Sequence, residues 1–233
     1  MLHILKNEKR TSIIFFVILT IDILVKLNLS SFPYRYVSKP PLILLLFFYY
    51  YFNTTEKRKK KKLWVILALF CFLIGDVLVI EHTNIIFLSA SLLFFALAKV
   101  FLSLRLSHRS DFNIIRLIPF SVVIFSYTVF IVSFLYTSLK SFFVPALLSF
   151  FISLLLIQFG YIRKDVVDRV SYLYVFFGII FYMLCESMMA IKTFKMDLPM
   201  QDILIMLFYG IAVYLIIFGI VKERKKEDDV SSF

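Results

Sequence analysis

The ionisable side chains that fall inside long apolar runs are where this sequence could do chemistry. They are Asp22, Lys26, Asp76, Lys99 and Glu186, with Gln158 as a polar companion. A charge at the centre of a bilayer costs about 2.5 to 3.5 kcal/mol even on insertion scales, so such residues usually face a cavity or a partner. Asp22 and Lys26 stand i,i+4, the spacing at which a local ion pair neutralises both. Asp76 and Glu186 have no basic residue one turn away on their own runs. Each is expected a little over one turn from the outer end of its run, which sets both at one depth. Two carboxylates at one depth in a dry bundle cannot both ionise comfortably, because burial and mutual repulsion oppose the second charge. A pair with one proton between them suits acid-assisted hydrolysis through an oxocarbenium ion. It suits equally a proton or cation path, or a hydrogen bond between helices, and spacing alone leaves the three open.

Lys99 is expected near the cytoplasmic end of its run, shallow enough to snorkel towards headgroups, with Gln158 at a similar level as its partner. His3, His82 and His108 have no metal-ligand spacing with carboxylates or cysteines, and no metal site is assigned. Cys71 and Cys185 lie in apolar stretches, where a thiol behaves as a small hydrophobe. The chain has no GxSxG elbow, phosphate loop, GxGxxG fingerprint or HExxH helix, which argues against a serine hydrolase, a nucleotide-driven pump and a zinc protease.

The elements that must position these residues are set by composition. Among 233 residues, 61% are hydrophobic, against about 45 to 50% in ordinary soluble domains. The expected class is an all-α polytopic membrane protein, a single transmembrane domain over residues 1–233. Counting runs near the roughly 20 residues a crossing helix needs gives eight: Ser12 to Leu29, Pro40 to Asn53, Leu63 to Ile80, Asn84 to Leu104, Ile114 to Tyr136, Ser141 to Tyr161, Tyr172 to Ile191 and Ile203 to Val221. The first is expected to be retained rather than cleaved as a signal peptide. Most of the 26 Lys and Arg residues fall at the N-terminus, in the Thr54 to Lys62, Arg105 to Arg116 and Ile162 to Ser171 regions, and in the basic tail 222–233. The opposite loops keep Arg35, Lys39, Lys140, Lys192 and Lys195. That asymmetry puts both termini in the cytoplasm. It also reads the run Lys57 to Lys62 as a topology anchor rather than a nucleic-acid or anionic-lipid patch. Prolines opening the second and sixth runs and carboxylates in the third and seventh suggest a parallel four-plus-four internal repeat. The repeat would make Asp76 and Glu186 face one another.

Read in order, several segments resemble the YhhN-like lysoplasmalogenase family of eight-span membrane proteins. They are Lys39-Pro40-Pro41-Leu42, Leu73-Ile74-Gly75-Asp76-Val77-Leu78, Phe94-Phe95-Ala96-Leu97-Ala98-Lys99 and Val144-Pro145-Ala146-Leu147. Leu184-Cys185-Glu186-Ser187-Met188-Met189-Ala190 and Tyr209-Gly210-Ile211-Ala212 complete the set, over a family-like core of residues 39–219. The resemblance implies hydrolysis of the vinyl-ether bond of a lysoplasmalogen-like lysolipid to a fatty aldehyde and a glycerophospho-base. Asp76 and Glu186 would be the catalytic carboxyl pair, and Lys39, Lys99 and Tyr209 would contact substrate. No cofactor is implied. The expected partners are a lysophospholipid or ether-lipid substrate and membrane lipids, not nucleic acid, in a bacterial inner membrane. Lys39 would add a full charge to helix N-termini that already favour phosphate. Three positions depart from the family pattern: Glu186 stands where Asp is more usual, Lys99 where many relatives have His, and Val213 where many have Gln. A proton-coupled carrier and a non-catalytic lipid-binding protein are the alternatives.

Overall fold

The computed structural model describes residues 5–29, 31–107 and 114–223, and is all-α over them. The centre of the Arg105 to Arg116 region and the basic tail from residue 224 onwards lie outside the described residues. Among the described residues there are eight helices of 14 residues or more: α1 (Glu8–Asn28), α2 (Pro40–Asn53), α3 (Lys59–Leu78), α4 (Ile85–Leu106), α5 (Ile114–Leu139), α6 (Phe143–Ile162), α7 (Arg169–Phe194) and α8 (Gln201–Val221). Seven are long and apolar enough to cross a membrane, which makes the chain an integral membrane protein. The exception is α2, whose 14 residues span about 21 Å at 1.5 Å per residue, short of the ~30 Å hydrocarbon core. Pro40 and Pro41 occupy its first positions, where a missing N–H breaks no intrahelical bond. Before it runs a short helical segment, Ser31–Arg35 and Tyr36–Ser38, interrupted at the extended residue Phe32.

The chain divides into two compact units. The first takes residues up to Arg105 and Asp202–Gly210 of α8; the second takes Leu106–Gln201 and α8 from Ile211.

In the first unit, α2 packs on α1 and α3, and the 31–38 segment lies on α1. The buried stripe of α1 is Thr11, Phe15, Leu19 and Asp22, steps of four, four and three residues that keep one helical face inward. Its outer face carries exposed Ile13, Val17, Ile21 and Leu24. An outer face of this kind, apolar through the middle of the helix, is built for lipid rather than water. Gly75 on α3 has one structural duty. A Cβ there would sit 2.9 Å from the Phe95 ring, so glycine leaves room for that ring to reach Phe72 and Tyr209.

In the second unit α5, α6 and α7 pack on one another, around a core cluster of Ile131, Leu135, Leu139 and Phe150. The Asp168 side chain accepts from the Ser171 N–H at 3.0 Å and caps α7. Ser171 in turn donates to the Gly219 carbonyl at 2.6 Å, and Arg163 reaches Glu223 at 2.8 Å.

Candidate active site

Asp76 stands in the last turn of α3 and is 1% exposed. Two groups meet it, a cation at one carboxylate oxygen and a hydroxyl at the other. Lys39 Nζ lies 2.9 Å from Oδ1, and the Tyr209 hydroxyl donates to Oδ2 at 2.8 Å. Lys39 reaches inward because it is the last residue before the prolines that open α2. Tyr209 comes from the part of α8 that belongs to this unit. Its ring is fixed edge-on by Phe72 and Phe95, each with its centroid 6.2 Å away. Lys39 Nζ also lies 5.8 Å from the centre of the Tyr209 ring, within cation–π range. The structure therefore brings together three of the residues singled out from sequence: Asp76, Lys39 and Tyr209.

A second buried carboxylate lies in the same unit. Asp22 accepts from the Ser38 hydroxyl at 2.5 Å and faces Arg35 Nη2 across 3.9 Å. Lys26 pairs with Asp202 at 2.6 Å. This corrects the expected Asp22–Lys26 pair. Both residues find partners on other elements, because Asp22 lies on the inward stripe of α1 and Lys26 does not.

Lys99 also needs correction. It is 0% exposed, between Ala98 and Leu102, which are equally enclosed, so its amine does not snorkel outwards. Gln158, in the second unit, donates its amide N–H to Ser121 on α5 at 3.4 Å. Lys99 is not among the groups that touch Asp76.

Glu186, in the second unit, has a different dressing. Ser149 donates to one of its carboxylate oxygens at 2.6 Å and Ser153 to the other at 2.5 Å. Next to it, the Tyr127 hydroxyl donates to Ser187 at 2.8 Å. Helix α7 runs on to Phe194, so Glu186 stands eight residues before its end, whereas Asp76 stands two before Leu78. The equal offset read from the apolar runs is not reproduced, because α7 continues past the charged residue Lys192.

Arg35, Ser38, Ser149 and Ser153 were not singled out from sequence. The two serines of α6 carried a usable signal, since hydroxyls four apart on an otherwise apolar helix share one face. Arg35 and Ser38 carried none, because they precede α2 in a segment without periodicity.

A family model described as YhhN matches residues 34–220. The chain belongs to the YhhN family. Neither a curated protein nor a solved structure matches it significantly. The YhhN match takes in Arg35, Lys39, Asp76, Glu186 and Tyr209, while Asp22 and the rest of α1 precede it.

Proposed function

We propose that this YhhN protein is a membrane-embedded hydrolase that cleaves the vinyl-ether bond of a lysoplasmalogen-like lysolipid. The observation that carries the reading is the Asp76 centre. It is a buried carboxylate held by an ammonium and by a phenol that two aromatic rings flank, on the family-matched part of the chain. Eight crossings and the four-plus-four repeat belong to this reading.

The chemistry asks for little beyond an acid and a fixed negative charge. A proton adds to the alkenyl carbon remote from oxygen, leaving an oxocarbenium ion. Water adds at the carbon bonded to oxygen and gives up a proton. The hemiacetal then collapses to a fatty aldehyde and the glycerol hydroxyl of the glycerophospho-base, so that one water is consumed and the protein's carboxyl groups are regenerated. Asp76 and Glu186 take the acid–base and charge-stabilising roles. Between them the two carboxyl groups divide the roles of proton donor and cation stabiliser. Tyr209 and Lys39 hold the Asp76 carboxylate in place.

The test is an assay of purified protein with a lysoplasmalogen and with its acyl lysophospholipid counterpart. Aldehyde release from the first without fatty-acid release from the second is the expected outcome. No aldehyde from an intact, folded preparation would overturn the reading and move weight to lipid binding or proton-coupled transport.

A further inference from the structure

The Asp76 centre leaves a second acid–base pair unused. Arg35 is 8% exposed and Asp22 1%, yet they are poorly matched. The Arg35 guanidinium meets Asp22 at 3.9 Å and the Met206 sulfur at 3.9 Å, both through Nη2, and its Nε has no hydrogen-bond partner. Asp22 accepts from Ser38 on Oδ1, while Oδ2 has no hydrogen-bond partner. A guanidinium carries five donors, and a carboxylate has about four acceptor positions. Leaving such groups buried and unmatched is costly. An orphaned donor and an orphaned acceptor side by side are complementary to a ligand that carries an anion and an N–H cation together.

Position narrows the ligand further. The Lys39 N–H donates to the Arg35 carbonyl at 3.2 Å, so the two bases stand one helical turn apart, with side chains that emerge about 5–6 Å from each other. Lys39 faces Asp76 and Arg35 faces Asp22. In a glycerolysolipid the chain-bearing oxygen and the phosphate are separated by a three-carbon glycerol, a span comparable to that turn.

We infer that Arg35 and Asp22 form a headgroup-reading subsite one turn from Asp76, which takes the phosphate and the primary ammonium of an ethanolamine-type lysophospholipid. This rests on the lysolipid reading of the Asp76 centre. Arg35 binds the phosphate through paired N–H bonds. The ammonium donates to Asp22 Oδ2, which a quaternary choline nitrogen cannot do because it has no N–H.

Binding is measured on the purified full chain with two non-cleavable probes, saturated alkyl-ether lysophospholipids of one chain length bearing ethanolamine or choline. The wild type should bind the ethanolamine probe roughly tenfold more tightly, since a charge-assisted hydrogen bond is present in only one complex. Asp22→Asn should bring the two within about twofold, and Arg35→Gln should weaken both about tenfold, with part recovered in Arg35→Lys. Equal binding of the two probes by the wild type overturns the inference without any variant, and so does an Arg35→Gln protein that binds both as the wild type does. Aldehyde release from the matching vinyl-ether lipids is assayed separately. Selective binding without aldehyde would retain the subsite and refute hydrolysis, whereas aldehyde release at equal KM for both headgroups would do the reverse.

Discussion

Asp76 is neutralised by a lysine rather than by a network of hydroxyls, and this fixes what each substitution should do. Removing one partner of a buried ion pair typically costs about 3 to 5 kcal/mol, because the other charge is left alone. Lys39→Met should therefore lower the thermal stability of the detergent-solubilised protein sharply. Adding Asp76→Asn in the same chain should restore most of it, because the neutral amide needs no cation. A double variant as unstable as Lys39→Met would show that Lys39 acts by packing instead. For activity, Asp76→Asn and Glu186→Gln should each lower aldehyde release by about 10² to 10⁴, and if the two act as a unit their combination should be little worse than either alone. Asp76 was legible in the sequence because a carboxylate in an apolar run is costly wherever it lands. Its partners were legible only in part: Lys39 and Tyr209 entered through family-like segments, and the geometry that joins them is tertiary. The Asp22–Lys26 expectation shows the limit. Spacing on one helix says which groups can meet, but not whether another element offers a better partner, as Ser38 does for Asp22 and Asp202 for Lys26.

At the level of elements, hydropathy located all eight helices, since apolar runs bounded by charge are what the backbone needs in lipid. The ends were less legible. Helix α7 reaches Phe194 and α5 reaches Leu139, because a helix can continue through polar residues once it leaves the apolar layer. Gly75 offers a test of how elements position the site. Replacing a mid-helix glycine by alanine ordinarily stabilises by about 0.5 to 1 kcal/mol, but here the new methyl would meet the Phe95 ring at 2.9 Å. That ring is hemmed in by Phe72 and Tyr209, at centroid distances of 6.3 and 6.2 Å. Overpacking of this kind costs about 1 to 3 kcal/mol and should outweigh the propensity gain. Gly75→Ala should thus melt below the wild type, and Phe95→Leu in the same chain should recover stability. A Gly75→Ala protein that melts higher would mean that α4 yields easily.

For the whole molecule, the distribution of charge among the connections bears on how the chain is threaded through the bilayer. From the excess of Lys and Arg in alternate connections, the N-terminus and the Thr54 to Lys62 loop are expected in the cytoplasm. If α2 crosses despite its 14 residues, cysteines introduced at residues 34 and 57 should react with a membrane-impermeant thiol reagent from opposite sides. Labelling of both from one side would make α2 a re-entrant element. The segment before α2 has a further consequence. Val37 is 73% exposed, although the next residue, Ser38, is bonded to Asp22 and the one after that to Asp76. Cys71 and Cys185 are both buried, so Val37→Cys would give the molecule one readily labelled thiol. An environment-sensitive dye attached there would ride on the backbone that holds both anionic contacts. Occupancy could then be followed as a change in emission, with non-cleavable probes and without waiting for turnover.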